Sequence, residues 1–410
     1  MTGEPSTDRD PSTLLVTLTG PDRPGVTSRL FHACDAAGVV VLDIEQVVLR
    51  GRLVLGVLIT APRHDGALVR AIHDAAAELG MDVELTRGHG DNRPRREGRL
   101  HVTVLGAPLR PSAVAAIAGR IADTGANIDR IVRMARYPVT AIDLDVSGAD
   151  PDSMRRTLAI EAARQEVDVA VQPAGIHRHA QRLVVMDVDS TVIEGEVIEM
   201  LAEHAGCHER VAEVTAAAMQ GDLEFADSLR ERVALLEGVE ASALDAVYES
   251  LTYTPGVRTM VRTLRRLGYR FALVSGGFTQ VINRIADDLG VHYLAANTLE
   301  VVDGTLTGRL VGDIVDRAGK ATALRRFADD AGIPVANTIA VGDGANDLDM
   351  LAAAGLGVAF NAKPTVRDAA DTAVNVPYMD AIIYLLGITR EEVEAADAAA
   401  GVTTPAPPVP

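Results

Sequence analysis

The sequence predicts an α/β protein: a parallel sheet with helices on both faces and a small helical cap, preceded by two smaller βαββαβ units. Three observations carry that prediction. Pro21, Arg23, Pro24, Gly38 and Ile44 recur as Pro108, Arg110, Pro111, Gly125 and Ile131 at one constant offset, so the first part of the chain is an internal repeat. From Arg182 onward, "LVVMDVD", "RFALVSGG", "TIAVGDGAND" and "GLGVAF" are apolar runs ending in small or polar residues and separated by helical stretches, the pattern of a parallel sheet. Between Val192 and Pro255 a long helical insertion is of a size to cap the strand ends.

Taken in order, residues 1–12 are polar and are expected to be disordered. Residues 13–90 read as strand, turn, amphipathic helix, strand, turn and strand, followed by a helix over Gly66–Leu79. The same order returns over residues 99–173. A unit of this kind leaves a sheet face open, so pairing between the two copies is expected. Residues 181–396 form the third domain, with the cap at about 194–255, and the proline-rich tail, 397–410, is expected to be disordered.

Composition narrows the function. A chain of 410 residues, 48% hydrophobic and 23% charged, suits two or three soluble domains. The formal net charge of -18 opposes nucleic acid and anionic membranes as partners. Cys34 and Cys207 stand alone, without metal-ligand spacing, and read as reduced thiols. The first residues lack a signal-peptide core and no apolar run approaches the roughly 20 residues of a membrane span, so a cytoplasmic location is expected.

The chemistry begins at "VVMDVDSTVIEGE", where an apolar run ends in carboxylates. In such sheets the working site lies beyond the carboxyl ends of the strands. Asp187 and Asp189 are two apart, and the pleat of an extended chain points them the same way. Two like charges need a cation between them, and Mg²⁺ takes carboxylate oxygens. Asp187, Asp189 and Asp343 are therefore expected to hold it, with Asp347 as a further ligand or behind them. One carboxylate attacks phosphorus to form an aspartyl phosphate, and the other protonates the leaving alcohol and then activates water. Asp187 is assigned the first role and Asp189 the second. Ser275 and the Gly276 N–H suit a phosphoryl oxygen, Lys320 supplies a further cation, Asn346 supports the phosphate region, and Thr191 anchors the loop.

"DVDST", "SGG", Lys320 and "GDGAND", in that order, resemble the four motifs of the haloacid dehalogenase superfamily of phosphohydrolases. That resemblance implies a Rossmann-like sheet. The cap's "AMQGDLEFADSLRERV" and the "EGE" after the first motif are similar to the phosphoserine phosphatase family. By that match Glu196 faces a substrate ammonium, Arg232 its carboxylate, and Met219 and Phe225 form an apolar lid. Arg230 stands as the alternative to Arg232. The implied reaction is Mg²⁺-dependent hydrolysis of O-phosphoserine. A phosphotransferase acting on another alcohol such as homoserine, and an amino-acid-binding protein with a vestigial catalytic domain, are the alternatives.

The repeat, with "GPDRPG" at Gly20–Gly25, resembles the ACT family of ferredoxin-like regulatory domains. The resemblance implies an amino-acid effector, serine among the candidates, held at the turn of Gly20, Asp22 and Gly25 by N–H groups near a helix N-terminus. In the second copy Asp22 and Gly25 are replaced by Leu109 and Ser112, so the first copy is expected to bind and the second to pack. ACT-type domains pair across subunits, which implies a homodimer.

Overall fold

The computed structural model describes residues 12–35, 37–62, 64–90, 98–175, 182–220 and 225–404, without the side chains of 216–220 and 225. It divides into two compact units, Met1–Arg95 and Arg96–Pro410.

The first unit is a four-stranded antiparallel sheet with two helices: β1 (Ser12–Pro21), α1 (Val26–Asp35), β2 (Val41–Leu49), β3 (Arg52–Thr60), α2 (Gly66–Leu79) and β4 (Asp82–His89), in strand order β2-β3-β1-β4. Alternation along β1 and β3 buries Leu14, Val16, Leu18, Leu55, Val57 and Ile59 in one cluster with Leu30 of α1 and Ile72 of α2.

The second unit opens with the repeat: β5 (Leu100–Gly106), α3 (Pro111–Asp123), β6 (Asn127–Ala135), β7 (Thr140–Ser147), α4 (Pro151–Gln165) and β8 (Asp168–Pro173), in strand order β6-β7-β5-β8. Leu100, Val102 and Val104 face α3 and α4. Part of the other face is covered by the rest of the same unit. Leu105, Met134, Ala135, Val139, Ala141 and Ala170 belong to one buried cluster with Tyr378, Ile382 and Leu385. Polar contacts close the seam: Asn375 N–H donates to Asp168 Oδ2 (2.7 Å), the Thr372 hydroxyl to Val169 O (3.0 Å), and Gln172 Nε2 to Leu385 O (2.6 Å).

The remaining elements are β9 (Leu183–Met186), the cap helices α5 (Val197–His204), α6 (His208–Gln220), α7 (Phe225–Ala234) and α8 (Ser242–Ser250), then α9 (Val257–Arg266), β10 (Arg270–Phe278) and α10 (Thr279–Leu289). β11 (Tyr293–Val302), β12 (Thr305–Val311), α11 (Arg317–Asp330), β13 (Thr338–Gly342), α12 (Leu348–Ala353), β14 (Leu356–Phe360), α13 (Pro364–Ala369), β15 (Thr372–Val374), α14 (Ile382–Leu385) and α15 (Arg390–Ala399) follow. The strands form one seven-stranded sheet, β12-β11-β10-β9-β13-β14-β15, parallel except for the edge strand β12. The chain builds outward from β9 to one side and then returns to the other through β13. β9 and β13 are therefore neighbours at the point where the winding reverses, and their carboxyl ends open the crevice that such sheets use.

The cap is tied down at two places. Glu194 N–H donates to Thr252 O and Thr254 N–H to Val192 O, pairing its two connecting strands. Its α7–α8 loop pairs with β12, through Gly238 N–H to Leu306 O, Leu306 N–H to Val239 O and Ala241 N–H to Gly304 O.

The tail corrects one expectation. Residues 397–410 read as disordered, yet α15 runs to Ala399 and Asp397 is fully buried. Arg262 donates to both of its oxygens (2.9 and 2.6 Å), Arg266 donates to Oδ1 (2.5 Å), and the Thr404 hydroxyl donates to Oδ2 (2.8 Å). These bonds, those from Arg262 first, hold the Asp397 carboxyl well below the usual range. A polar-looking helix was thus anchored by partners more than a hundred positions away. Residues 1–11 and 405–410 lie outside the described residues. Among the described residues, no helix is long and apolar enough to cross a membrane.

Candidate active site

β9 is wholly buried between β10 and β13, so Asp187 is the first polar side chain that the strand delivers. Asp187 N–H still pairs with Val341 O (2.9 Å). The chain then folds back, with Val192 and Ile193 N–H both donating to Val188 O (2.8 and 3.0 Å). Ser190 sits in the left-handed region (φ 58°), and the following turn closes through Ser190 N–H to Gly195 O.

Asp187, Asp343 and Asp347 each offer an oxygen within 4.8 Å of the others. Lys320, fully buried on α11, reaches Asp187 Oδ1 and Asp347 Oδ1, each at 2.7 Å. Burial opposes its charge, but the two carboxylates outweigh that and raise its pKa above the ordinary lysine value. Gly344 N–H takes the second oxygen of Asp347 (3.0 Å), and the Thr191 hydroxyl donates to Asp343 Oδ1 (2.9 Å). Burial, with Asp347 next, pushes Asp187 well above the carboxylate range; burial likewise lifts Asp343 to about 6. Gly342 permits the approach of Asp347, whose Cγ would lie 2.5 Å from a Cβ there.

Asp189 departs from the sequence expectation. Its Oδ1 accepts Val197 N–H, at the start of α5 (2.8 Å), and its Oδ2 accepts the Ser275 hydroxyl (3.1 Å). Both carboxylate oxygens already accept hydrogen bonds, and its side chain is not in the cluster that Asp187, Asp343 and Asp347 make. The backbone folds back after Val188, so the two side chains take different partners while the Asp189 charge still acts on Asp187. A Cβ at Gly277 would stand 2.9 Å from Asp189 Oδ2 and 3.0 Å from Ser275 Oγ, so glycine leaves room for that hydrogen bond.

Glu196 stands at the N-terminal end of α5, half-buried. Burial, then the charges of Asp189 and Glu199, push its carboxyl up to about 7, with Arg232 working against them. Arg232 is 8% exposed, turned inward, and its pKa is lowered by burial against the opposing pull of Glu196, Asp189 and Glu199. Arg230 faces solvent and pairs with Asp227 (2.8 Å), which separates the two arginines left open by the sequence. Gly276 and Asn346 border the same crevice at the ends of β10 and β13, both half-exposed. The side chains of Met219 and Phe225 lie outside the described residues.

In the first unit, Gly20 lies one residue before the end of β1 against Met81, where a side chain would collide, and Gly25 (φ +94°) leads into α1. Asp22 N–H donates to Gly51 O (2.8 Å), so this N–H of the turn is already taken.

Residues 12–86 and 100–172 each match the ACT domain family, and residues 184–352 match the haloacid dehalogenase-like hydrolases. Over 390 residues the chain is 60% identical to a phosphoserine phosphatase of Streptomyces coelicolor, across 95% of each chain. The chain belongs to the phosphoserine phosphatase family. A phosphoserine phosphatase of Mycobacterium tuberculosis is 50% identical over 395 residues, covering 94% of this chain and 95% of that one. The solved structure of a probable phosphoserine phosphatase from Vibrio cholerae, in unliganded form, is similar at 32% identity and a TM-score of 0.56, over 73% of this chain and 88% of that one. As a phosphatase of this family the chain is an enzyme with two ACT domains ahead of its hydrolase domain.

Sequence reasoning missed several residues of this phosphatase that hold the site together. Thr254 donates its hydroxyl to Thr191 O (2.7 Å), fastening the first motif to the cap's return strand. Val197 N–H fixes Asp189 from the start of the cap. The β11–β12 hairpin that props the cap carried a signal, Asp303-Gly304, which adopts the double positive φ (49° and 77°) of a tight hairpin turn.

Proposed function

We propose that this phosphatase hydrolyses O-phospho-L-serine to L-serine and phosphate, the last step of serine biosynthesis, through an aspartyl phosphate on Asp187. The observation that carries the substrate is the buried Arg232, whose charge acts on both Glu196 and Asp189: one cation and one acid stand ready for the two charges of an amino acid. The guanidinium of Arg232 takes the carboxylate, and Glu196 takes the ammonium.

Mg²⁺ fits the donor set. Asp187, Asp343 and Asp347 gather around one point, all donors are oxygens, Lys320 bridges only Asp187 and Asp347, and burial holds the carboxyls of Asp187 and Asp343 above the usual range. Asp187 and Asp343 would hold the ion, with Asp347 turned to Lys320 behind them. When bound, Mg²⁺ neutralises charge on the phosphoryl oxygens. Asp187 attacks phosphorus; Asp189 gives its proton to the departing serine oxygen and then takes one from water, which releases phosphate. Ser275 and the Gly276 N–H receive a phosphoryl oxygen, beside Asn346. Lys320 balances the charge on Asp187 before and after attack.

Glu196 sets a pH dependence. A carboxyl with a pKa of about 7 accepts an ammonium only once ionised, so kcat/KM for phosphoserine should rise with pH through that value. In Glu196→Gln the limb should vanish, and kcat/KM should fall by about 10-fold or more, as loss of a charge-assisted hydrogen bond implies. A pH–rate profile of both proteins reads the effect.

The two ACT domains belong to the same reading. An amino acid, serine first, binds the turn of Gly20, Asp22 and Gly25 and alters turnover, within a cytoplasmic homodimer associated through the N-terminal domains. The test is phosphate release from O-phosphoserine, phosphothreonine, glycerol phosphate and a sugar phosphate, with Mg²⁺ and with a chelator, then with added serine. Mg²⁺-dependent preference for phosphoserine is the expected result. Equal rates on all four esters would refute the substrate, and chelator-insensitive turnover would refute the metal.

A further inference from the structure

Asn297 in β11 is 2% exposed and joins two parts of the site without lining it. β10 and β11 pair in register as far as Val274 with Ala295, and again at Phe278 with Asn297. Between those points Ser275–Gly277 leave the ladder as a bulge, the device by which a sheet aims a backbone segment at a crevice. A bulge takes a carbonyl away from its strand partner, and the carbonyl then needs another donor.

Asn297 answers that carbonyl. Its Nδ2 donates to Gly276 O at 2.8 Å, and its Oδ1 accepts Val315 N–H at 2.8 Å, on the segment leading to the Lys320 helix. The first partner only accepts and the second only donates, so the amide has one orientation. The other end of the same peptide, Gly277 N–H, donates to Ser275 Oγ (2.8 Å), and the Ser275 hydroxyl donates to Asp189 Oδ2 (3.1 Å). One hydrogen-bond direction therefore runs from Asn297 through the Gly276–Gly277 peptide and Ser275 to Asp189.

We infer that Asn297 is a positioning residue for phosphoryl transfer: by fixing the Gly276–Gly277 peptide it aims the Ser275 hydroxyl, and it ties that loop to the segment carrying Lys320. The inference rests on the roles proposed above for Ser275 and Asp189. It also explains the residue type. Aspartate of the same size lacks the donor, and leucine would leave both Gly276 O and Val315 N–H unanswered.

The test is a double-mutant cycle between Asn297 and Ser275 in the full chain, read as kcat/KM on O-phosphoserine and on p-nitrophenyl phosphate. Asn297→Ala and Asn297→Asp should each lower kcat/KM by about 10- to 100-fold, the range for misplaced catalytic groups. In a Ser275→Ala background either change should cost less than about threefold, because the two residues act as one unit. Asn297→Asp keeps the volume and the Val315 bond, so it isolates the donor should the alanine variant fail to fold. Losses that multiply across the cycle, or an Asn297→Asp enzyme within about twofold of wild type, would overturn the inference. A wild type that turns over p-nitrophenyl phosphate but not phosphoserine would defeat the substrate proposal and still leave the cycle readable.

Discussion

Asp187→Asn should lose phosphate release by at least about 10⁴-fold, because an amide cannot form the acyl phosphate that carries the reaction. Asp189→Asn should behave differently. Its amide still reaches Ser275 and Val197 but neither protonates the leaving oxygen nor activates water, so turnover should fall by about 10²- to 10⁴-fold. Acid-quenched protein should carry a persistent phosphoryl group in the second variant and none in the first. Equal, unimpaired turnover in both would defeat the assignment. Thermal melting in chelator guards against the trivial explanation of unfolding. Burial, and then the charge of Asp347, raises the folded pKa of Asp187, so its ionised form costs stability at neutral pH. Asparagine relieves that cost but takes one of the two carboxylates from the fully buried Lys320, so the metal-free melt reads whether the variant is folded.

Arg232→Ala should raise KM for phosphoserine by about 100-fold, since a buried guanidinium making bidentate bonds to a carboxylate contributes a few kcal/mol of binding. Phosphoethanolamine, which lacks the carboxylate, should be turned over by wild type and variant at rates within about threefold, because the guanidinium has no partner in that ligand. Arg232→Lys should recover little, because an ammonium replaces a planar fork. Arg230, exposed and paired with Asp227, provides the control: its alanine variant should stay within about twofold on both esters, as surface ion pairs contribute little. A phosphoserine KM unaffected by Arg232→Ala would remove the carboxylate contact.

Much of this architecture was legible in the chain. β9, β10, β13 and β14 are short, almost wholly apolar runs because they are buried on both faces, and each ends in its polar cluster on one edge of the sheet. The repeat was legible because the same turn and core residues serve both copies. What stayed hidden depends on distant partners. Asp187 and Asp189 look alike as a pair, but Lys320 claims one while Ser275 and Val197 claim the other. Asn297 is an ordinary asparagine until a bulge in the neighbouring strand gives it a carbonyl to answer. Asp397 sits in a charged, alanine-rich helix whose sequence gives no hint of the two arginines waiting on α9.

The seam between β8 and β15 bears on how this protein can be handled and how its genes can be rearranged. A catalytic fragment starting at Arg182 would uncover the outer edge of the sheet at β15, strip Asp168 from Asn375, and bare the apolar ground under Leu105, Met134 and Ala170. An open strand edge beside a greasy patch is an adhesive surface. Such a fragment would retain every catalytic side chain and still be prone to clump. A soluble short form would need a lysine on the freed strand in place of the shield that the second ACT domain provides.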